Sequence, residues 1–328
     1  MESTVKTSPA PTFLEFMPVS LFGAVMGLTA LCFAWRQAHQ IWQTPTAIPE
    51  TIGFTAILTF ITLTIIYTIK WIRYPALVAR EFKNSISIGF FGTITISIML
   101  IPGVILPYNA KAAGAIWLFG VILTLLLAWF VLRKWTDEQQ QKENAVPAWV
   151  LPVTGTLNVP IVGNSLKFAG AHECCVAFFG IGIIFIIILM AIIFNRLFFE
   201  APLPPPLQPS LFILVAPLAL AFNGYEGLTS GPDLPAACFF YFTLFLGLLF
   251  GSKLLLLPKC CPFQVSWWSV SFPLGSLTLA CIRYAQNQSD TPHWLLAAGM
   301  LIGTTLVILY LLIQTITQIW KMTRSPKH

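Results

Sequence analysis

Apolar residues run along this chain in ten long stretches, near 17–36, 51–70, 86–107, 112–132, 147–167, 174–195, 210–226, 235–254, 264–284 and 293–320, with short polar segments between them. A helix needs about 20 apolar residues to cross the hydrocarbon layer of a bilayer, so the pattern predicts ten membrane helices. A second alternation is laid over the first. Pro102, Pro152, Pro160, Pro217 and Pro273 all fall inside odd-numbered stretches, whereas the interiors of the even-numbered ones run unbroken. An internal proline removes a backbone donor and crowds the preceding turn, which bends a helix. Lipid offers no partner to carbonyls freed by a bend. Bent helices therefore belong inside the protein, facing other helices or a water-filled cavity. The expected fold is an all-α membrane protein: ten transmembrane helices as five helical hairpins around a central pore, with kinked odd-numbered helices inside and straight even-numbered ones outside.

The breaking residues recur. Gly23 (with Pro18 before it), Gly92 (with Gly89), Pro152, Pro217 and Pro273 follow one another at about 65-residue intervals, the spacing of a parallel repeat closing around an axis along the membrane normal. Residues 1–16 form a short N-terminal segment, 17–320 the ten-helix domain and 321–328 a C-terminal tail. Residues 133–146 are the longest polar loop. Five prolines within 201–209 favour a stiff extended connector.

Composition excludes a sizeable soluble domain. Hydrophobic residues make up 57% of the 328 and charged residues 9%, far below the roughly 25% charged of soluble domains. With ten spans, 14 of the 18 Lys and Arg residues fall in the termini and even-numbered loops, leaving Arg36, Lys111, Lys167 and Arg283 on the other side. Basic loops stay cytoplasmic, so both termini are expected in the cytoplasm of a cell bounded by this plasma (inner) membrane. The same charge would collect anions, although the topology rule accounts for it unaided.

Candidate chemistry is sparse. No span carries Asp, Glu, Lys or Arg away from its ends, and Glu226 and Arg283 come nearest. Ionisable groups within membranes mark proton relays and ion sites, so their scarcity favours passive conduction over coupled transport. No phosphate-binding loop, HExxH motif, carboxylate pair or catalytic triad is present, which argues against an enzyme. The seven cysteines contain no CxxC; the doublets Cys174–Cys175 and Cys260–Cys261 read as small buried hydrophobes. His39, His172, His293 and His328 are scattered. Neither a metal nor another cofactor is expected, and nothing suggests nucleic acid.

The ninth stretch is the most distinctive. It runs Trp267–Trp268–Ser269–Val270–Ser271–Phe272–Pro273–Leu274–Gly275. Pro273 steers Phe272 away from regular helix. A ring turned there toward the axis would narrow the lumen with an apolar plug that stops ions by excluding water. The plainer alternative is that Phe272 is one of 27 phenylalanines filling helix interfaces.

The run from Phe263 through Leu274, continuing to Arg283–Tyr284–Ala285, resembles the ninth helix of plant slow-type anion channels and of their bacterial relatives, the tellurite-resistance/dicarboxylate transporter family. Phe22–Gly23, Gly27–Leu28 and Phe33–Ala34–Trp35 are similar to that family's first helix, Leu151–Pro152 to its fifth and Ala216–Pro217 to its seventh. The third helix departs from the bacterial pattern, with Phe91–Gly92 where proline is common. The resemblance implies ten helices in five hairpins around a pore, a homotrimer with one pore per subunit, and a gating phenylalanine at the position of Phe272. It also implies small anions as partners: chloride and nitrate, with malate or tellurite as further candidates. Gly23, Gly92, Pro152, Pro217 and Pro273 are then the bends that line the pore. The expected function is passive anion conduction through a phenylalanine-gated tube. The rival is a proton-coupled carrier for C4-dicarboxylates or tellurite.

Overall fold

A computed structural model describes residues 13–229, 233–254 and 262–324. Residues 1–12, the doublet Cys260–Cys261 and the last four residues lie outside them. All regular structure among the described residues is helical. Among the described residues, nine helices are long and apolar enough to cross a membrane: α1 (Val19–Trp42), α2 (Ala47–Arg73), α3 (Ser87–Ile105), α4 (Ala110–Asp137), α6 (Ala171–Phe199), α7 (Pro205–Leu228), α8 (Leu234–Lys253), α9 (Val265–Gln288) and α10 (Thr291–Lys321). Between α4 and α6 the chain at 147–163 is helical in four short pieces, here called α5: Pro147–Trp149, Val150–Thr154, Gly155–Asn158 and Val159–Gly163. Two prolines, Pro152 and Pro160, keep these pieces from merging into one long α-helix.

Burial sorts the spans into two sets. Within an 18-residue apolar stretch of each span, 67% to 78% of residues are buried in α1, α3, α7 and α9, against 22% to 33% in α2, α4, α6, α8 and α10. Nearly every residue of α5 is buried too. The buried spans touch in a closed sequence: α1 on α3, α3 on α5, α5 on α7, α7 on α9, and α9 back on α1. Each also packs against the exposed span that follows it. Apolar side chains such as Ile65, Phe119, Ile187, Leu248 and Ile313 stand on the outward faces of that second set, as a lipid-facing layer requires.

Small residues set how closely the inner helices approach. A Cβ on Gly27 would lie 2.1 Å from Ser271 Oγ, and one on Gly275 would lie 2.6 Å from Ala30 Cβ, so α1 and α9 meet nearly backbone to backbone. At Gly92 a Cβ would lie 2.7 Å from the Leu151 carbonyl carbon, which seats α3 on α5.

Each buried span also begins as a 3₁₀ helix and then relaxes to α. The 3₁₀ segments are Val19–Phe22, Ser87–Phe91, Pro147–Trp149, Pro205–Val215 and Val265–Val270. The α-helices that continue them start at Gly23, Gly92, Val150, Ala216 and Ser271. Glycine opens the first two, and a proline stands two or three residues into the others (Pro152, Pro217, Pro273). A proline cannot donate to the carbonyl four residues back, so the i→i+3 pattern persists up to it. The segment Pro205–Val215 corrects the expected extended connector. Residues 201–204 have no regular structure, with Pro204 at φ −54°, ψ 148°, and helix begins at Pro205 because a φ fixed near −65° suits a helical first turn.

A short helix, Pro75–Lys83, follows α2 and returns Glu81 against it. Glu81 accepts from Lys70 Nζ at 3.0 Å, from Tyr67 Oη at 3.1 Å and from the Val19 backbone N–H at 2.9 Å. Lys70 also donates to the Met17 carbonyl at 2.7 Å. These bonds tie the start of α1 to α2.

Candidate functional site

The first turns of the buried segments α1, α3, α5, α7 and α9 gather at one end of the ring, and the last turns of α1, α3, α5 and α9 at the other. At the first end they enclose a narrow cavity of about 20 Å³, room for a single water. Every buried span contributes: Gly23 and Met26 from α1, Phe90 and Thr93 from α3, Leu151 from α5, Ile213 and Ala216 from α7, and Ser266, Ser269, Phe272 and Pro273 from α9. The wall is mostly apolar. In a 3₁₀ helix, side chains three apart eclipse one another, so Ser266, Ser269 and Phe272 share one face. The hydroxyls of Ser266 and Ser269 are buried and bond no other group among the described residues.

Phe272 is 4% exposed. It stacks on no other aromatic ring among the described residues, unlike Phe240, which lies 3.9 Å from Tyr284 in a parallel stack. Of the bend residues, Gly23 and Pro273 line the cavity. Pro152 and Pro217 stand next to lining residues, Leu151 and Ala216. Gly92 instead faces the α5 backbone at Leu151 and Pro152.

At the opposite end, the last turns of α1, α3, α5 and α9 surround a larger and more polar cavity of about 250 Å³. Phe33, Arg36, Gln37, Ser165, Leu279 and Arg283 are on its wall. Arg36 is closely held. It makes a two-point contact with Glu50 (3.2 and 3.0 Å) and donates to the carbonyls of Gly103 (2.8 Å) and Val104 (3.1 Å). Arg283 is more loosely held: Nη1 donates to the Asn223 carbonyl at 3.1 Å, and the nearest carboxylate oxygen, of Glu226, is 3.8 Å away. Asn287 donates to the other oxygen of Glu226.

The two cavity walls lie seven positions apart on α1 (Met26 to Phe33) and six apart on α9 (Pro273 to Leu279), which is about 9–10 Å at 1.5 Å per residue. All of Gly27–Cys32 is buried. A solute passing between the cavities meets a short, tightly filled septum.

Sequence reasoning singled out Phe272 but missed Ser266 and Ser269, although their spacing of three from each other and from Phe272 was a usable signal. It also put the positive field in the basic loops. Arg36 and Arg283 were counted there as span-end charges, and only the three-dimensional arrangement brings both onto one cavity. No group of His, Cys, Asp or Glu able to hold a metal occurs among the described residues.

An all-helical chain whose spans divide into a buried ring and an apolar outer layer is a multi-pass membrane protein. The chain belongs to the family described as voltage-dependent anion channel, whose model matches residues 17–316. It is 24% identical over 92% of its length to S-type anion channel SLAH2 of Arabidopsis thaliana, and 24% identical over 93% to S-type anion channel SLAH3 of the same plant. It spans 59% and 48% of those two proteins. Similarity extends to the tellurite resistance protein TehA homolog of Haemophilus influenzae, at 24% identity over 83% of this chain and 80% of that protein.

Proposed function

We propose that this protein is a passive channel for small anions, with its two cavities as the ends of one conduit through five helical hairpins. In this reading the 147–163 stretch is the tenth span, and Phe272 closes the conduit at rest. One observation carries the proposal: a cavity walled by all five buried spans ends at Phe272, within a family whose relatives include named anion channels. Chloride and nitrate are the proposed permeants, with malate and tellurite as further candidates. Both termini face the cytoplasm across the plasma membrane, and three copies assemble with one conduit each.

The chemistry follows from the walls. An apolar septum penalises ions with tightly held water, so weakly hydrated anions should pass best. The hydroxyls of Ser266 and Ser269 offer donors to an anion that has shed part of its shell. Arginine at the far cavity disfavours cations. Purified protein in planar bilayers tests the proposal, with chloride, nitrate and malate supplied in turn. Unitary anion currents support it. Saturable uptake driven by a proton gradient, with no unitary current, would replace it with a coupled carrier.

A further inference from the structure

Two arginines stand on the wall of the far cavity, and their hydrogen bonding differs. Arg36 uses four of its five N–H donors, on both oxygens of Glu50 and on two backbone carbonyls. Its charge and its fork are both occupied. Arg283 uses one, from Nη1 to the Asn223 carbonyl. Glu226 lies 3.8 Å from that same nitrogen, too far for a hydrogen bond, and is held back by Asn287. Glu226 thus balances the charge of Arg283 without filling its donor fork. Nε and Nη2, with three N–H groups, have no partner among the described residues.

Arg283 is on the wall of a cavity of about 250 Å³, and its side chain is 26% exposed, so water reaches the free N–H groups. An anion that accepts from them replaces that water with charge-assisted hydrogen bonds, roughly twice as strong as neutral ones. The Nε–Nη2 edge presents two parallel donors, which match two coplanar oxygens of one anion. A halide accepts from a fork at a single centre and gains less. On the same wall, Ser165 carries a hydroxyl, and Gln37 keeps one amide N–H beside the one it gives to Gln286 at 2.9 Å.

We propose that Arg283 forms a binding site for planar oxyanions, carboxylates above all, at the far mouth of the conduit, and that Glu226 weakens this site by competing for the same charge. The proposal deepens the anion-conduit reading and rests on it for its biological purpose, while binding itself can be measured without conduction. Formate is the probe, with chloride as the spherical comparison at equal ionic strength. Each is titrated against the unfolding midpoint of the purified full-length protein in detergent, since a ligand that binds only the folded state raises it.

The expected result is a formate affinity at least fivefold above that for chloride. Arg283→Lys keeps the charge and loses the fork, and should weaken formate at least tenfold while changing chloride less than twofold. Glu226→Gln leaves the guanidinium in place and should tighten formate at least threefold, which gives a reading even if the arginine variant fails to fold. Equal affinity for the two anions in the unaltered protein, unchanged formate binding in Arg283→Lys, or no tightening in Glu226→Gln would each overturn the site. Formate binding in a protein that passes no current would keep the site and sink the conduit. Currents without formate binding would do the reverse.

Discussion

Truncation of Phe272 to alanine separates a lumen plug from an ordinary core side chain, because the two roles predict opposite pairs of outcomes. The ring is 4% exposed, so exposing it to water as a conduit opens forfeits almost the whole benefit of its burial. That benefit is about 1.5–3 kcal/mol for a phenylalanine side chain. At 1.4 kcal/mol per tenfold, a conduit closed by this ring is open about a tenth to a hundred-and-fiftieth of the time. Removing the ring should therefore raise anion current about 10- to 150-fold. Stability should fall by less than the 3–5 kcal/mol typical of a buried phenylalanine replaced by alanine, since the vacated space joins an existing cavity that water can fill.

Phe240 is the matched control. It is fully buried on α8 and lies against Tyr284 of α9 at 3.9 Å and Phe222 of α7 at 5.7 Å, away from the walls of both cavities. Phe240→Ala should cost the full core penalty and leave current unchanged. The assay is paired: bilayer current per reconstituted protein, and unfolding midpoint in the same detergent. Wild-type current from Phe272→Ala, together with a core-sized loss of stability, would refute the plug.

Three further outcomes follow from the same geometry. Gly92→Ala should destabilise by about 1–3 kcal/mol, because its Cβ would meet the α5 backbone at 2.7 Å and backbone cannot yield; Gly251→Ala, with nothing within 4 Å, should gain up to about 1 kcal/mol in the same melting measurement. Lys70→Met should cost about 3–5 kcal/mol by stranding Glu81, whose side chain is 16% exposed, and the double variant with Glu81→Gln should recover part of it in a double-mutant cycle. Ser269→Ala should leave stability unchanged or raise it by up to about 1 kcal/mol, since its hydroxyl is buried without a partner, yet reduce anion current in a Phe272→Ala background.

Much of this architecture was legible in the chain. Span lengths follow from the thickness of hydrocarbon, and proline marks which spans cannot face lipid, so Pro152, Pro217 and Pro273 pointed to the buried set before any coordinates. What stayed hidden depends on distances between spans. Gly92 read as a bend beside a lumen, whereas its lack of a side chain lets α3 rest on the α5 backbone. Pro205 and Pro209 read as extended linker, because a proline's φ fits both an extended chain and a helical start; the apolar run after them decides the outcome. Arg36 and Arg283 are 247 residues apart in sequence. Nothing local announces that they share a cavity, or that Glu50 occupies one fork and Glu226 leaves the other open.

The five junctions between 3₁₀ and α helix bring fold and conduit together. A 3₁₀ turn rises about 2.0 Å per residue and eclipses side chains three apart, whereas an α turn rises 1.5 Å and spreads them over the helix surface. Before the junction on α9, Ser266 and Ser269 are stacked toward the cavity. After it, side chains at Leu274, Leu277 and Thr278 diverge toward neighbouring helices, and Thr278 bonds Thr304 on α10 at 2.7 Å. Phe272 stands at the changeover, one residue into the α segment, so its ring is the last aligned with the hydroxyl row. The same change at Gly23, Gly92, Val150 and Ala216 brings small or aliphatic groups to that level on the other four spans. Phe90 and Trp268 also line this cavity, and α9 is the span that sets a ring one residue past its junction.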